Sequence, residues 1–110
     1  MSTGIKTVIY PVQDLARAKA TFTELLGAEP SSDSPYYVGF TVGDQEIGLD
    51  PNGHKHGTTP YWHVAAIDDS VDRLVKAGAE VLEAAKDVGG GRVIAVLKDA
   101  EGNIIGLVQD

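Results

Sequence analysis

The stretch Val12-Gln13-Asp14-Leu15-Ala16-Arg17-Ala18-Lys19-Ala20-Thr21-Phe22-Thr23-Glu24-Leu25-Leu26-Gly27 reads as one helix with its start and stop written in. Leu15, Ala18, Phe22, Leu25 and Leu26 recur at the spacing that puts side chains on a single helical face. Asp14 precedes that face and can accept from the free amides of the first turn. Gly27 follows it and can take the left-handed conformation that ends a helix. The triplet that closes this stretch, Gly27-Ala28-Glu29, returns as Gly78-Ala79-Glu80. There it closes a second amphipathic run, formed by Ile67, Val71, Leu74 and Val75. A second triplet, Ile47-Gly48-Leu49, returns as Ile105-Gly106-Leu107 in the last apolar run of the chain. Two recurrences in matching places point to an internal duplication.

Turn signals divide the remainder: Glu29 to Pro35, Val42-Gly43-Asp44-Gln45, Asp50 to Pro60, Gly89-Gly90-Gly91, and Asp99 to Asn103. Between them lie β-like runs at Lys6 to Val12, Tyr36 to Val42, Glu46 to Leu49, Tyr61 to Val64, Glu80 to Val88, Arg92 to Lys98 and Ile104 to Gln109. The expected fold is α+β, with two βαβββ modules at about 4–52 and 58–110 within one domain. They form a cupped eight-stranded mixed sheet with the helices on its outer face.

The chain has 110 residues, 43% hydrophobic and 23% charged, in keeping with one globular domain. Without cysteine it has neither disulfides nor thiolate metal ligands. Sixteen acidic residues against nine basic ones give a net charge of −7, which argues against nucleic acid as a partner. No apolar run is long enough for a membrane span, and the first residues carry no apolar signal core. A cytoplasmic location is therefore expected.

The run from Val12 to Gly27 resembles the opening of the glyoxalase, bleomycin-resistance and extradiol-dioxygenase (vicinal oxygen chelate) superfamily. The run Lys98-Asp99-Ala100-Glu101-Gly102-Asn103-Ile104-Ile105-Gly106-Leu107 resembles its closing strand, with Ala100 in place of the usual proline. The resemblance implies that enzymes of this kind hold a divalent metal through His, Glu or Gln on the first and last strands of each module. Carried onto this chain, those positions are Thr7, Gly48, Thr58 or Thr59, and Gly106. A threonine hydroxyl is a poor ligand beside imidazole or carboxylate, and glycine offers none. The expectation is thus a site with no metal and no cofactor.

His63-Val64-Ala65-Ala66 resembles the His-Val start of a module, a register that would make His63 a ligand. The repeat instead maps His63 onto Pro11 or Val12, at the end of a strand. His54 and His56, in a Gly-containing loop with Lys55 between them, read as solvated imidazoles.

Strand alternation then assigns faces. If Val12 looks toward its helix, Thr7, Ile9 and Pro11 look the other way, into the cup. Ile105 and Leu107 then face the helix, and Ile104, Gly106 and Val108 the cup. Tyr61 and His63 share one face and Trp62 the other, although a one-residue slip would exchange them. The candidate pocket comprises Thr7, Ile9, Tyr37, Phe40 and Gly48 from the first module, and Tyr61, Trp62, His63 and Gly106 from the second. Aromatic rings would form its walls, hydroxyls and His63 its polar handles, and the two glycines would widen it.

Two functions compete. One is a metal-free protein that binds a drug or metabolite, resembling bleomycin-resistance proteins and acting as a homodimer. The other is a glyoxalase-like lyase or dioxygenase using His63, either with Glu46 or Asp50 around a divalent metal or by acid–base chemistry without one.

Overall fold

A computed structural model describes residues 2–52 and 55–110. The elements run β1 (Ser2–Pro11), α1 (Leu15–Leu26), β2 (Ser32–Ser34), β3 (Tyr37–Val42), β4 (Gln45–Asp50), β5 (Thr59–Val64), α2 (Ile67–Lys76), β6 (Glu80–Asp87), β7 (Val93–Lys98) and β8 (Ile104–Gln109). The βαβββ order occurs twice. Backbone hydrogen bonds order the strands β2-β3-β4-β1-β5-β8-β7-β6 in one open, mixed, eight-stranded sheet. The parallel pairs are β1 with β4 and β5 with β8.

Contacts divide the chain into two compact units, residues 6–59 and residues 2–5 with 60–110. The first residues of β1 therefore belong with the second unit, where the Ser2 hydroxyl donates to the His63 carbonyl at 2.9 Å.

In residues 6–59, α1 packs on one face of its strands. Val38, Phe40 and Leu49 form the buried centre, with Tyr10, Val12, Ile47, Leu15, Ala18, Phe22 and Leu26 around them. The Phe22 ring lies 5.1 Å from Tyr10 and 6.4 Å from Phe40, centroid to centroid. Leu25, expected on this face, is 71% exposed: the face that packs runs through Leu15, Ala18, Phe22 and Leu26, and Leu25 stands beside it. The helix begins where the Asp14 side chain accepts from the Arg17 amide at 3.0 Å. It ends at Gly27, whose φ of 63° is the left-handed conformation that glycine adopts without penalty.

In the second unit, α2 covers Val64, Ala95, Leu97 and Leu107 with Ile67, Val71 and Leu74. Val75, assigned to the packed face by periodicity, is 45% exposed. No side chain at the N-cap position, Ala66, caps this helix. Instead the Ile67 amide donates to the side-chain oxygen of Gln109 in β8, at 2.8 Å. Asp68 and Asp69 stand in its first turn, where carboxylates favour the helix dipole.

The turn between β7 and β8 is built by Asp99. Its carboxylate accepts from the amides of Glu101 and Asn103 at 2.9 and 2.8 Å and from the Asn103 side chain at 3.0 Å. These bonds, that of the Asn103 side chain foremost, hold its carboxyl below the ordinary value. Asp99 and Asn103, part of the family-like motif, thus shape a turn.

One strand escaped the sequence pattern. Ser32-Asp33-Ser34 forms β2, antiparallel to β3, inside a segment read as turn. All three residues are exposed and polar, so neither apolar alternation nor β-branching marks them.

Candidate functional site

The strand face turned away from α1 carries a small polar cluster in residues 6–59. Pairing places Thr7 beside Glu46, Ile9 beside Gly48 and Pro11 beside Asp50 on β1 and β4. On β3, Gly39 is opposite Gly48 and Thr41 opposite Glu46. The Glu46 carboxylate receives two hydroxyls: Thr7 Oγ1 donates to Oε1 at 3.4 Å and Tyr37 Oη to Oε2 at 3.3 Å. Thr7 is 3% exposed and Ile9 7%, while Glu46 and Tyr37 are half-buried.

The Tyr37 ring lies across the two facing glycines. A Cβ on Gly48 would come within 2.8 Å of Tyr37 Cε1 and 2.5 Å of Ile9 Cδ1. One on Gly39 would come within 3.0 Å of Tyr37 Cε2. The ring fills the place where a side chain at position 48 would stand.

The second unit repeats this device with another tyrosine. Tyr61 pairs with Gly106 on β5 and β8, as Ile9 pairs with Gly48. A Cβ on Gly106 would sit 2.6 Å from Tyr61 Cδ1 and 2.8 Å from the Pro60 carbonyl oxygen. Tyr61 is 2% exposed. Farther along the same face, His63 Nδ1 lies 3.7 Å from Asp110 Oδ2. Arg92 Nε donates to Asp110 Oδ1 at 2.7 Å. The Arg92 hydrogen bond is the largest influence holding the Asp110 carboxyl below its usual range. Partial burial opposes it, and the charges of Arg92 and His63 reinforce it.

These registers correct the expected pocket in three respects. Phe40, expected in it, is in the core beneath α1, 1% exposed, because it shares a strand face with Val38. Trp62 stands on the face of Val64 and Leu107, opposite to Tyr61, and is 36% exposed. The glycines do not widen the surface, since Tyr37 and Tyr61 cover Gly48 and Gly106. Thr7, Ile9, Tyr37 and Gly48 do come together. Tyr61, His63 and Gly106 share one face of the second unit.

The pairing also resolves Thr58 against Thr59. If Gly48 and Gly106 are equivalent, their partners Ile9 and Tyr61 are too, and Thr7 then corresponds to Thr59. Thr7 and Thr59 are both buried, and the Thr59 hydroxyl donates to the Gly57 carbonyl at 3.0 Å. Glu46, not Gly48, is the cross-strand neighbour of Thr7. Alternation could have found it, because Glu46 stands two residues before Gly48 on the same face. His54 lies outside the described residues.

The sequence pattern of the Glyoxalase/Bleomycin resistance protein/Dioxygenase superfamily matches residues 4–107. The chain belongs to this superfamily. No curated protein matches it. Among solved structures, it is similar to a Streptomyces coelicolor methylmalonyl-CoA epimerase in complex with 2-nitronate-propionyl-CoA. The TM-score is 0.76 at 16% identity, covering 100% of this chain and 99% of that one. A hypothetical protein from Bacillus halodurans C-125 gives 0.77 at 13% identity, covering 96% and 93%. A superfamily member from Vibrio splendidus 12B01 gives 0.73 at 17% identity, covering 94% and 96%. At these identities the likeness is one of fold.

Of the four positions to which the superfamily resemblance assigns metal ligands, none supplies imidazole or carboxylate, and both glycine positions are occupied by phenol rings. Glu46 alone adds a carboxylate beside Thr7. Among the described residues, no three His, Asp or Glu side chains are grouped to hold a metal ion. The residues present do not fit the family's divalent ion. No helix among the described residues is long and apolar enough to cross a membrane.

Proposed function

We propose that this superfamily member binds a small molecule, a drug or metabolite, without a metal. One observation carries the reading: the ligand positions hold Thr7, Gly48, Thr59 and Gly106, with Tyr37 and Tyr61 seated on the glycines. Aromatic surface beside a few placed polar groups suits recognition of an organic ligand. The strand face in residues 6–59 offers the half-buried Tyr37 ring and the half-buried Glu46 carboxylate with its two hydroxyl donors. By the same reading the protein works in the cytoplasm as a homodimer, with no nucleic-acid or membrane partner.

The test is a thermal-shift screen of antibiotics and keto-acid metabolites, run with and without EDTA. Stabilisation by at least one compound, unchanged by chelator, is the expected result. A ligand response or turnover that requires a divalent ion would overturn the proposal. Size-exclusion chromatography checks the dimer.

A second reading has one observation in its favour, the row formed by His63, Asp110 and Arg92. A carboxylate near Nδ1 can orient a histidine that moves protons, the requirement for metal-free acid–base chemistry. Any turnover found should then fall at least a hundredfold in His63→Ala. An unchanged rate removes this version.

A further inference from the structure

We infer that β6, the strand at one end of the sheet, pairs antiparallel with β6 of a second copy of this chain, about a two-fold axis that passes between Ala84 and Ala85. This names the interface of the homodimer proposed above and rests on that reading.

The strand order begins with β2 and ends with β6. β2 is three residues long, and its Asp33 is tied to Lys19 of α1. A short strand with charged side chains is a blunted edge. β6 is eight residues long and is paired along one side only, by β7. Its middle, Ala84-Ala85, is exposed and carries neither charge nor proline. Val81 and Val88, toward its two ends, are 38% and 48% exposed. Such an edge presents a row of backbone donors and acceptors that another extended segment completes.

The strand itself supplies the matching partner. Run antiparallel to itself, Glu83-Ala84-Ala85-Lys86 sets Glu83 against Lys86 at both ends and alanine against alanine between. The faces agree with this pairing. Glu83 stands opposite Val96 and Lys86 opposite Ile94. Val96 and Ile94 are two apart on β7 and so share one face. An irregularity between Glu83 and Lys86 takes up the extra residue, and both charges come to that face. It is the face away from α2, because the alternate residues Ala95 and Leu97 pack beneath that helix. A two-fold axis perpendicular to the sheet keeps this face on the same side in both copies, and so brings each Glu83 beside Lys86 of the other copy. In a regular strand, residues three apart would take opposite faces and the match would fail. Within the chain, Lys86 Nζ is already 3.9 Å from Glu83 Oε1, so the dimer gathers four alternating charges in one cluster. Opposite charges across a ladder favour pairing and like charges oppose it.

The test is sedimentation velocity, over a wide range of concentration, on wild type, Glu83→Lys, Lys86→Glu and an equimolar mixture of the two variants. Circular dichroism confirms that each is folded. Wild type should dimerise. Each variant alone sets like charges across the axis and should dimerise at least tenfold more weakly. In the mixture the exchanged charges meet their opposites, and dimer affinity should return to within threefold of wild type. Such recovery arises only between chains, so a purely internal role of the ion pair would not produce it. Variants that dimerise like wild type, or a mixture of folded variants that does not recover, overturn this interface and leave the homodimer standing. A wild type that stays monomeric throughout defeats the homodimer and this interface together. Where a variant does not fold, wild type decides: hydrogen exchange at the β6 amides must slow as dimer forms, and unchanged exchange there overturns the interface.

Discussion

Gly48 and Gly106 occupy the same place in two copies of one module, yet each is covered differently. Over Gly106 lies Tyr61, a neighbour across the ladder, buried, with the Pro60 carbonyl also within reach of any added carbon. Over Gly48 lies Tyr37, which comes from β3 and is half-buried, together with the tip of Ile9. One copy has closed the position with groups that cannot yield, the other with side-chain ends that can. The same backbone arrangement occurs twice, and the covering side chains give the two places different freedom.

The largest expected effect breaks or upholds this contrast directly. Gly106→Ala should destabilise by about 3 kcal/mol, the upper end of ordinary overpacking, because backbone must shift. Gly48→Ala should cost about 1 kcal/mol, since Tyr37 and Ile9 can swing aside and alanine reduces unfolded-chain entropy. Urea denaturation of both variants tests this, and equal losses would show that the two coverings are equally rigid.

The helices offer a second comparison. Asp14→Ala removes the side-chain cap of α1 and should cost about 1 kcal/mol in the same assay. Gln109→Ala removes the acceptor that β8 lends to α2 and should cost a similar amount, about 1–2 kcal/mol, by leaving the half-buried Ile67 amide unpaired. A negligible loss would mean that water replaces Gln109.

Tyr37→Phe removes the hydroxyl that donates to Glu46 at 3.3 Å and should cost about 0.5 kcal/mol, the low end for a hydrogen bond. A loss above about 2 kcal/mol would mean that Tyr37 is held as firmly as Tyr61.

The smallest effect concerns Asp110. Its pKa is lower folded than unfolded, so its stabilising contribution is complete above the ordinary value of 3.8 and fades as pH falls through the lowered folded value. Being more than half exposed, it contributes only a few tenths of a kcal/mol. Asp110→Asn should flatten the decline in stability between pH 5 and pH 3 by that amount, and an identical decline would show that the Arg92 pairing adds nothing.

What could be read from the sequence follows from how local each determinant is. Asp14 and Gly27 act within a turn of α1, so its limits were legible; the doubled triplets showed the repeat but left its register open by one residue, which the strand pairing settled. Alternation correctly separated Thr7 and Ile9 from Tyr10 and Val12. Phe40 was misplaced because composition marks an aromatic without saying which face it takes. The coverage of Gly48 was hidden because it depends on Tyr37, brought over it by the pairing of β3 with β4. Glu46 was within reach of alternation, two residues before Gly48 on the same face, and the alignment of β1 with β4 sets it beside Thr7.

The bond from Ile67 to Gln109 also bears on how the chain is made. The two residues are 42 positions apart, so during synthesis α2 emerges well before the group that holds its first amide. That end of the helix stays unsecured until β8 arrives, a nonlocal closure of the kind that slows folding. The first copy, with Asp14 at hand, has its helix start settled as soon as the ribosome releases it.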